Sequence, residues 1–263
     1  IPYPKELSVS VVLMSREINE NPELFDKAIK YLRWSYEHAA PSHMTGANGA
    51  DIIMGSFAAS ILTKNEAQME DFKERMTQLP TIQSSEGIHP DYLFGQHCGR
   101  GRQLYFTSYG KEFVNSSLAY LDLCKDTRFQ SPGLELLQRL FTDGVQWIFY
   151  SKQHDPNNAG RFISSNQYSS AIKPLAERIY KLSSSDARNS MKQALQHISG
   201  DNSLTGNRMF WRFDYMVHRR NNYMTSSRMT STRTVGNEAG NGDCDFNYYA
   251  SNGVSYLIVT GRE

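Results

Sequence analysis

The spacing of apolar residues changes once along the chain, near residue 200, and this change restricts the possible folds more than any other feature. Up to residue 199 the apolar side chains recur with the spacing of amphipathic helices. After "SGDNSLTGN" (199–207) they alternate, and Tyr, Thr, Val and Phe become frequent, as in antiparallel strands. The sequence therefore predicts an α+β protein with a helical domain at 1–200 and a strand-rich domain at 201–263.

Capping residues and side-chain spacing define the predicted helices. Asn21 followed by Pro22 indicates a helix start, because a polar side chain satisfies free backbone N–H groups there and Pro fits the first helical position. The predicted buried face of this helix comprises Leu24, Ala28, Tyr31, Leu32 and Ser35. The segment "GADIIMGSFAASILTK" is apolar nearly all round, which predicts a buried helix. A charged helix that stops at Pro80 comes next, and further helices are predicted at about 111–124, 132–150, 168–183 and 186–198. Such a succession of helix pairs fits a solenoid or an α/α toroid of helical hairpins.

Three segments beyond residue 200 predict antiparallel strands that open a β-sandwich domain. They are "MFWRFDYMVHRR", "NYMTSSRMTSTRT" and "NYYASNGVSYLIVTG". In the first of them, Arg212, Asp214 and Met216 are expected to share one face of a strand. Three strands do not complete a sandwich, so the chain is expected to end inside this second domain.

Composition excludes several classes of protein. A net charge of +1 gives no overall attraction to polyanions, and 39% apolar with 21% charged residues is typical of a soluble globular protein. No stretch is apolar enough for a membrane span, and three widely spaced cysteines predict neither a disulfide framework nor a zinc site. The chain starts without an initiator Met or a signal peptide, so it is expected to be a segment of a longer or processed protein whose compartment its start does not reveal.

The stretch "GQHCGRGRQLYFTSYG" (95–110) brings His97 and Tyr109 onto a glycine-broken loop, which suggests proton transfer. A free tyrosine has a pKa of about 10 and needs neighbouring cations to act as a base near neutrality. Both residues could instead be ordinary loop and helix-start residues, and Cys98 could be a nucleophile or a spacer. The loop alone leaves these alternatives open.

Five motifs occur in order along the chain: "MTGANGADI", "GIHPDYLFGQHCGRGRQLYFTSYG", "NNAGRFIS", strands beginning "FWRFDYMVHRR", and the Glu-x-Gly-Asn element within "VGNEAGNGD". Together they resemble polysaccharide lyase family 8, the chondroitin AC, hyaluronate and xanthan lyases. The second motif resembles the catalytic segment of that family. The resemblance covers essentially the whole chain. It implies an internal segment of a larger enzyme, holding the rear half of an α/α toroid and the start of an antiparallel β-sandwich.

The resemblance implies β-elimination at a uronic acid and assigns five catalytic residues. Asn48 would neutralise the carboxylate, although it could also cap a helix. Tyr109 would take the C5 proton and return one to the glycosidic oxygen, and His97 would be a second base or a positioner. Arg161 would lower the pKa of Tyr109, and Glu238 would hold that arginine or tyrosine; a surface loop arginine and a strand-end glutamate are the alternatives.

The chain also departs from the family pattern. The spacing from His97 to Tyr109 is longer than usual, and the additional residues include Arg100 and Arg102, which could bind a sulfate or carboxylate or remain solvated. Asn241 is a further candidate for substrate binding. A second arginine of the family is replaced by Ser165, and the tryptophan platform that holds the polymer would precede Ile1.

The sequence thus predicts a lyase for chondroitin sulfate or hyaluronan, giving 4,5-unsaturated uronate products. The alternatives are a lyase for xanthan or another uronate polymer, or a non-catalytic carbohydrate-binding fragment. The chemistry needs no redox cofactor or catalytic metal, and the sequence leaves a structural calcium open. Family resemblance implies a secreted or periplasmic protein. The partner is an acidic polysaccharide, with no nucleic-acid or membrane partner, and the oligomeric state is open.

Two further patterns in the sequence could indicate other kinds of site. Six arginines between residues 208 and 233 could form a nucleic-acid surface, but the near-neutral net charge argues against one. The segment "DCDFN" (243–247) has the spacing of a calcium-loop start but lacks the following glycine and the distal glutamate, so it is predicted to be a turn.

Overall fold

The computed structural model describes residues 2–163, 169–240, 242 and 249–261. These residues form two compact units, each built from two pieces of the chain. The first unit comprises 1–81 and 112–133, and the second comprises 82–111 and 134–263. The sequence-based boundary near residue 200 follows secondary structure rather than this division, and it stays a prediction.

The first unit is helical and is built around one buried helix. Its helices are α1 (Pro2–Leu13), α2 (Ser15–Asn19), α3 (Pro22–His38), α4 (Gly46–Leu62), α5 (Glu66–Gln78) and most of α6 (Lys111–Leu123), with a 3₁₀ turn at Pro41–His43. Helices α1, α3 and α5 all pack against α4, whose side chains are mostly buried, as its sequence predicts. The tilted and edge-on rings of Phe57, Phe72 and Tyr120 extend this core.

Helix α3 begins where the sequence predicts, but its buried face is rotated from the predicted one. The Asn21 side chain accepts a hydrogen bond from the Leu24 amide at 3.1 Å, so the predicted cap is present. The buried residues are Ile29, Leu32 and Ser35, whereas Leu24 and Tyr31 are 48% and 43% exposed. The prediction for Leu24 and Tyr31 was therefore wrong, because the stripe that packs on α4 runs through Ile29 instead.

The second unit combines short helical segments with a four-stranded antiparallel sheet. Its helical elements are the π-helix Phe106–Gly110, α7 (Leu134–Arg139), the π-helix Leu140–Gly144, the 3₁₀ segments Val145–Ile148 and Pro156–Asn158, α8 (Ser169–Leu182) and α9 (Ser185–Ile198). Two short ribbons pair β1 (Gly87–Ile88) with β2 (Phe94–Gly95) and β3 (Phe149–Tyr150) with β4 (Gln153–His154). The sheet has the order β5 (Gly206–Phe210), β6 (Tyr215–Arg220), β7 (Tyr223–Arg228) and β8 (Val254–Val259).

The segment predicted as one strand at 209–220 is a hairpin. Phe210 pairs with Tyr215, and residues 211–214 form the turn between β5 and β6. Asp214 has φ of 47°, a left-handed conformation that a continuous strand cannot contain. Arg212 and Asp214 therefore do not share a strand face with Met216, and that prediction was wrong.

Two of the six arginines in this region are inside the protein. Arg219 on β6 and Arg228 on β7 are 0% and 1% exposed, because the buried face of each strand carries every second residue. The Arg233 side chain forms an ion pair with Asp214. The arginines therefore do not form the continuous basic surface that nucleic-acid binding requires.

Candidate active site

His97 lies in a left-handed backbone conformation that a neighbouring carboxylate stabilises. Its φ is 55°, uncommon for a residue with a side chain. Glu86 accepts a hydrogen bond from the His97 amide at 2.8 Å, and its other oxygen accepts one from the Gln96 side chain. Glu86 thus fixes the direction in which the imidazole projects. Such strained positions cluster at functional sites.

Tyr109 is carried by the π-helix Phe106–Gly110, which precedes α6 directly. π-Helical turns are rare and often mark functional sites. A side chain at Gly110 would meet the Phe106 ring at 2.8 Å, so the bulge requires glycine there. The Tyr109 ring is half-buried and lies edge-on to His97, with ring centroids 4.8 Å apart.

Glu238 joins the remaining residues of the cluster. Both of its carboxylate oxygens lie 2.8 Å from Nδ1 of His97, and one of them forms an ion pair with Arg161. The Tyr105 hydroxyl donates to the same carboxylate at 3.1 Å and accepts from the Arg161 amide at 3.1 Å. The structure therefore brings together His97, Tyr109, Arg161 and Glu238, which are far apart in sequence.

The charges around Tyr109 act in opposite directions. Burial raises the pKa of the Tyr109 phenol above 10.0, the Arg161 guanidinium lowers it through its charge and a hydrogen bond, and Glu238 and Glu86 raise it again. The sum is a raised pKa, so the phenol holds its proton at neutral pH. Burial alone would lower the pKa of Arg161, but Tyr105, Tyr109 and Glu238 raise it, so the guanidinium stays charged.

The imidazole tautomer follows from the same contacts. An ionised carboxylate only accepts hydrogen bonds, so Nδ1 of His97 must carry the proton that faces Glu238. In the neutral ring, Nε2 is then an acceptor. Burial alone would raise the pKa of Glu238, but the hydrogen bond and charge of His97, with Tyr105 and Arg161, hold it below 4.5.

A cavity of about 700 Å³ opens beside these residues and presents one arginine. It is lined by His97, Gly99, Arg100, Gln103 and residues 235–239, including Glu238. Arg100 is exposed at its edge. Arg102 does not line the cavity, and its charge acts on His89 and Arg212. Arg100 is therefore the better placed to meet an anion in the cavity, and a substrate contact of Arg102 stays a prediction.

Asn48 is in the first unit and is not the cap of α4. It is half-buried in the first turn, after Thr45 and Gly46, which occupy the helix start. Among the described residues the Asn48 side chain makes no hydrogen bond, so its amide is available to a ligand. Asn241, Ser165 and the segment 243–247 lie outside the described residues.

Cys98 does not have the environment of a nucleophile. Burial raises the pKa of its thiol to about 11, so the reactive thiolate is scarce at neutral pH.

The described part of the chain contains no group of three or more His, Cys, Asp and Glu side chains that could hold a metal ion. None of its helices combines the length and the apolar character that crossing a bilayer requires.

Three residues of the site have no signal in the sequence. Tyr105 sits four positions before Tyr109 and resembles part of an apolar run, while Glu86 and Gln103 resemble loop residues. Gln103 accepts a hydrogen bond from the Glu238 amide at 2.6 Å, which ties the loop of Glu238 to the loop of His97. Glu86 accepts a hydrogen bond from the amide of His97, which lies eleven residues later in the sequence. Only a known structure could have suggested this contact.

Replacing Glu238 by Gln is expected to lower the melting temperature of the protein by about 3 °C at pH 7.5. The folded-state pKa of Glu238 is lowered, so its contribution is complete above about 4.5 and is lost as the pH falls through the folded value. The difference between wild type and variant should therefore shrink at pH 3.5. Thermal unfolding of both proteins at the two pH values measures it, and an equal difference at both would contradict the assigned ion pair.

Two family profiles match this chain. The profile described as polysaccharide lyase family 8, N terminal alpha-helical domain, matches residues 1–199, and the profile described as its super-sandwich domain matches residues 205–263. Chondroitinase-AC of Pedobacter heparinus is 26% identical over 273 aligned positions, which cover 100% of this chain and 38% of that protein. The chain thus spans 38% of the length of this relative.

Solved structures show the same fold. The chondroitin AC lyase of Streptomyces coelicolor A3, in complex with chondroitin sulphate, has a TM-score of 0.83 at 15% identity, covering 98% of this chain and 41% of that one. A Paenibacillus xanthan lyase has a TM-score of 0.71 at 16% identity, covering 89% of this chain and 28% of that one. The predicted fold class, helical hairpins of an α/α toroid followed by the first strands of an antiparallel sandwich, is confirmed.

Proposed function

The chain belongs to polysaccharide lyase family 8, and from this premise and the geometry of the site we propose that the protein cleaves a uronic-acid-containing polysaccharide by β-elimination. The observation that carries the proposal is the cluster in which Glu238 contacts both His97 and Arg161 beside Tyr109. The cluster supplies an acceptor, a donor and a fixed cation, and two of its members, His97 and Glu238, line the cavity. These are the groups that an elimination needs.

In the proposed reaction the C5 proton of the uronate leaves first and the glycosidic C4–O bond breaks afterwards. The electron pair of the C5–H bond becomes the C4–C5 double bond, and the departing oxygen takes a proton. Tyr109, protonated at neutral pH, is the proposed donor to that oxygen. The Asn48 amide is the proposed partner of the uronate carboxylate, whose neutralisation stabilises the enolate-like intermediate.

Two acceptors for the C5 proton remain. The resemblance assigns it to Tyr109, which would have to ionise first. The structure also offers Nε2 of His97, since Nδ1 faces Glu238 and Tyr109 holds its own proton. The His97 assignment needs no prior loss of a proton from Tyr109, and on that ground we favour it. The elimination is redox-neutral in either form, so no redox cofactor is required.

Chondroitin sulfate or hyaluronan is the proposed substrate. A chondroitinase-AC among the relatives and a chondroitin lyase bound to chondroitin sulphate support this choice. A xanthan lyase among the structural neighbours makes xanthan the second candidate. We also propose that the protein is secreted or periplasmic, as the family resemblance implies. Arg100 is the proposed contact to an anionic group, and Asn241 remains proposed from the resemblance.

Ultraviolet absorbance of unsaturated uronate tests the proposal. The protein at its natural length is incubated separately with chondroitin, dermatan, hyaluronan and xanthan. We expect a rise with chondroitin or hyaluronan, and the polymer that gives the rise identifies the substrate. A flat trace with every polymer from a folded protein that still binds one of them would instead establish a carbohydrate-binding role.

A further inference from the structure

The side chain of Asn237 links the two catalytic segments of the second unit. Asn237 precedes Glu238 directly and is 5% exposed. Its Nδ2 donates a hydrogen bond to the carbonyl oxygen of Gly160, at 2.8 Å, and Gly160 precedes Arg161 directly. One buried amide therefore connects the backbone next to the guanidinium with the residue next to the carboxylate.

Arg228 holds this amide in one orientation. Its Nη1 donates to Oδ1 of Asn237 at 2.6 Å and to the carbonyl oxygen of Asn157 at 3.2 Å. Because a guanidinium only donates, the oxygen of the Asn237 amide must face Arg228 and its nitrogen must face Gly160. Among the described residues Arg228 makes no ion pair with a carboxylate. Its hydrogen bonds go to the Asn237 amide and to the carbonyl oxygens of Asn157 and Val235.

The loop that carries Arg161 is fastened to the sheet at a second place. Asp155 accepts hydrogen bonds from the Tyr215 hydroxyl at 2.7 Å and from the Asn157 amide at 2.9 Å. The side chain of Asn157 donates to Ser226 on β7 at 3.1 Å. Residues 155–158 are thus held by the sheet directly, whereas the segment that contains Arg161 is joined to the Glu238 loop through Asn237.

We propose that Asn237 and Arg228 form a buried clip that sets the distance between Arg161 and Glu238, and that both are positioning residues of the active site. Neither has a chemical role in the elimination, and the catalytic consequence of the clip rests on the proposed function. When the clip is removed, the Gly160 carbonyl and the Glu238 loop lose their common partner. The ion pair beside Tyr109 then loses its fixed geometry, and small displacements of such groups slow reactions strongly.

The kinetic test uses Asn237→Ala in the protein at its natural length. We expect kcat to fall about 100-fold with KM changed by less than about threefold, because the side chain supports catalytic groups rather than substrate. Arg228→Lys, which keeps a charged donor, should retain more of kcat than Arg228→Met. Arg219→Met is the matched control, since Arg219 is equally buried on the neighbouring strand but bonds to the Gln146 carbonyl instead.

Hydrogen–deuterium exchange tests the clip without any use of activity. The amide of Arg161 donates to the Tyr105 hydroxyl and that of Glu238 donates to Gln103, so both are protected when the segments are held in place. Asn237→Ala should speed exchange at these two amides selectively, whereas Arg219→Met should not. Unchanged exchange in Asn237→Ala, or an equal loss of kcat in Arg219→Met, would overturn the clip. A wild-type protein that cleaves no polymer would sink the proposed function and leave the exchange result to decide on the clip.

Discussion

The Tyr109→Phe variant should lose about 10³-fold or more of its turnover while it binds polysaccharide as well as wild type does. General acid–base catalysis contributes about 10²–10⁴-fold, and the phenol has no substitute donor at the same position. The ring itself stays, so its edge-on packing against His97 and Tyr105, at centroid distances of 4.8 and 4.9 Å, is kept. Steady-state rates from unsaturated uronate and binding isotherms with the same polymer measure the two quantities.

The same variant decides which group accepts the C5 proton. In heavy water, a base other than Tyr109 can still exchange the C5 proton of bound uronate, although the product does not form. We expect slow loss of the uronate H5 signal in the NMR spectrum with Tyr109→Phe, and no loss with the double variant His97→Ala, Tyr109→Phe. Absence of exchange in both would assign both proton transfers to Tyr109. Tyr31→Phe, on an exposed tyrosine of α3, is the control for the substitution type.

Gly160→Ala should be the most damaging of the small substitutions near the site. A Cβ at this position would lie 2.0–2.3 Å from three ring atoms of Tyr105, and Gly160 has φ of 59°. Tyr105 is fully buried, so its ring cannot swing into solvent to make room. We expect a loss of about 3 kcal/mol or more in the free energy of unfolding, and at least about 100-fold in turnover.

Thermal or denaturant unfolding and turnover of the two glycine variants measure these effects. Gly253→Ala is the matched control, because Gly253 also has a left-handed φ, 76°, but among the described residues no atom lies within 4 Å of the place that a Cβ would take there. Wild-type stability and turnover in Gly160→Ala would contradict the tight contact between Gly160 and Tyr105. A loss of turnover with normal stability would instead show that the contact serves the site and not the fold.

The sequence predicts those parts of the fold that depend on neighbouring residues. Asn21 caps α3 through a local hydrogen bond, and the all-round apolar character of α4 is a property of one segment. The turn at 211–214 has only a weak signal, because "WRFD" contains neither glycine nor proline. Its one turn-forming residue is Asp214, which takes the left-handed conformation that aspartate tolerates. The buried face of α3 depends on what packs against it, which a single helix does not reveal.

The candidate site shows the same difference between residues that a local motif predicts and residues that depend on distant contacts. His97, Tyr109, Arg161 and Glu238 are expected from motif resemblance, and the structure brings them together. Their roles stay proposals. Tyr105 and Asn237 are not expected, because their function arises from hydrogen bonds that span 133 and 77 residues of sequence. Buried arginines such as Arg228 look like surface charges until the strand that carries them is paired.

The division of the chain into two compact units has a practical consequence for anyone who wishes to dissect this protein. A cut near residue 200, where helices give way to strands, would pass through the second unit and not between the two units. It would leave His97 and Arg161 on one polypeptide and Glu238 on the other. Each half would carry charged groups evolved to neutralise a partner it no longer has. Joining the two halves again in trans would then be a direct assay of whether the site can assemble without a continuous backbone.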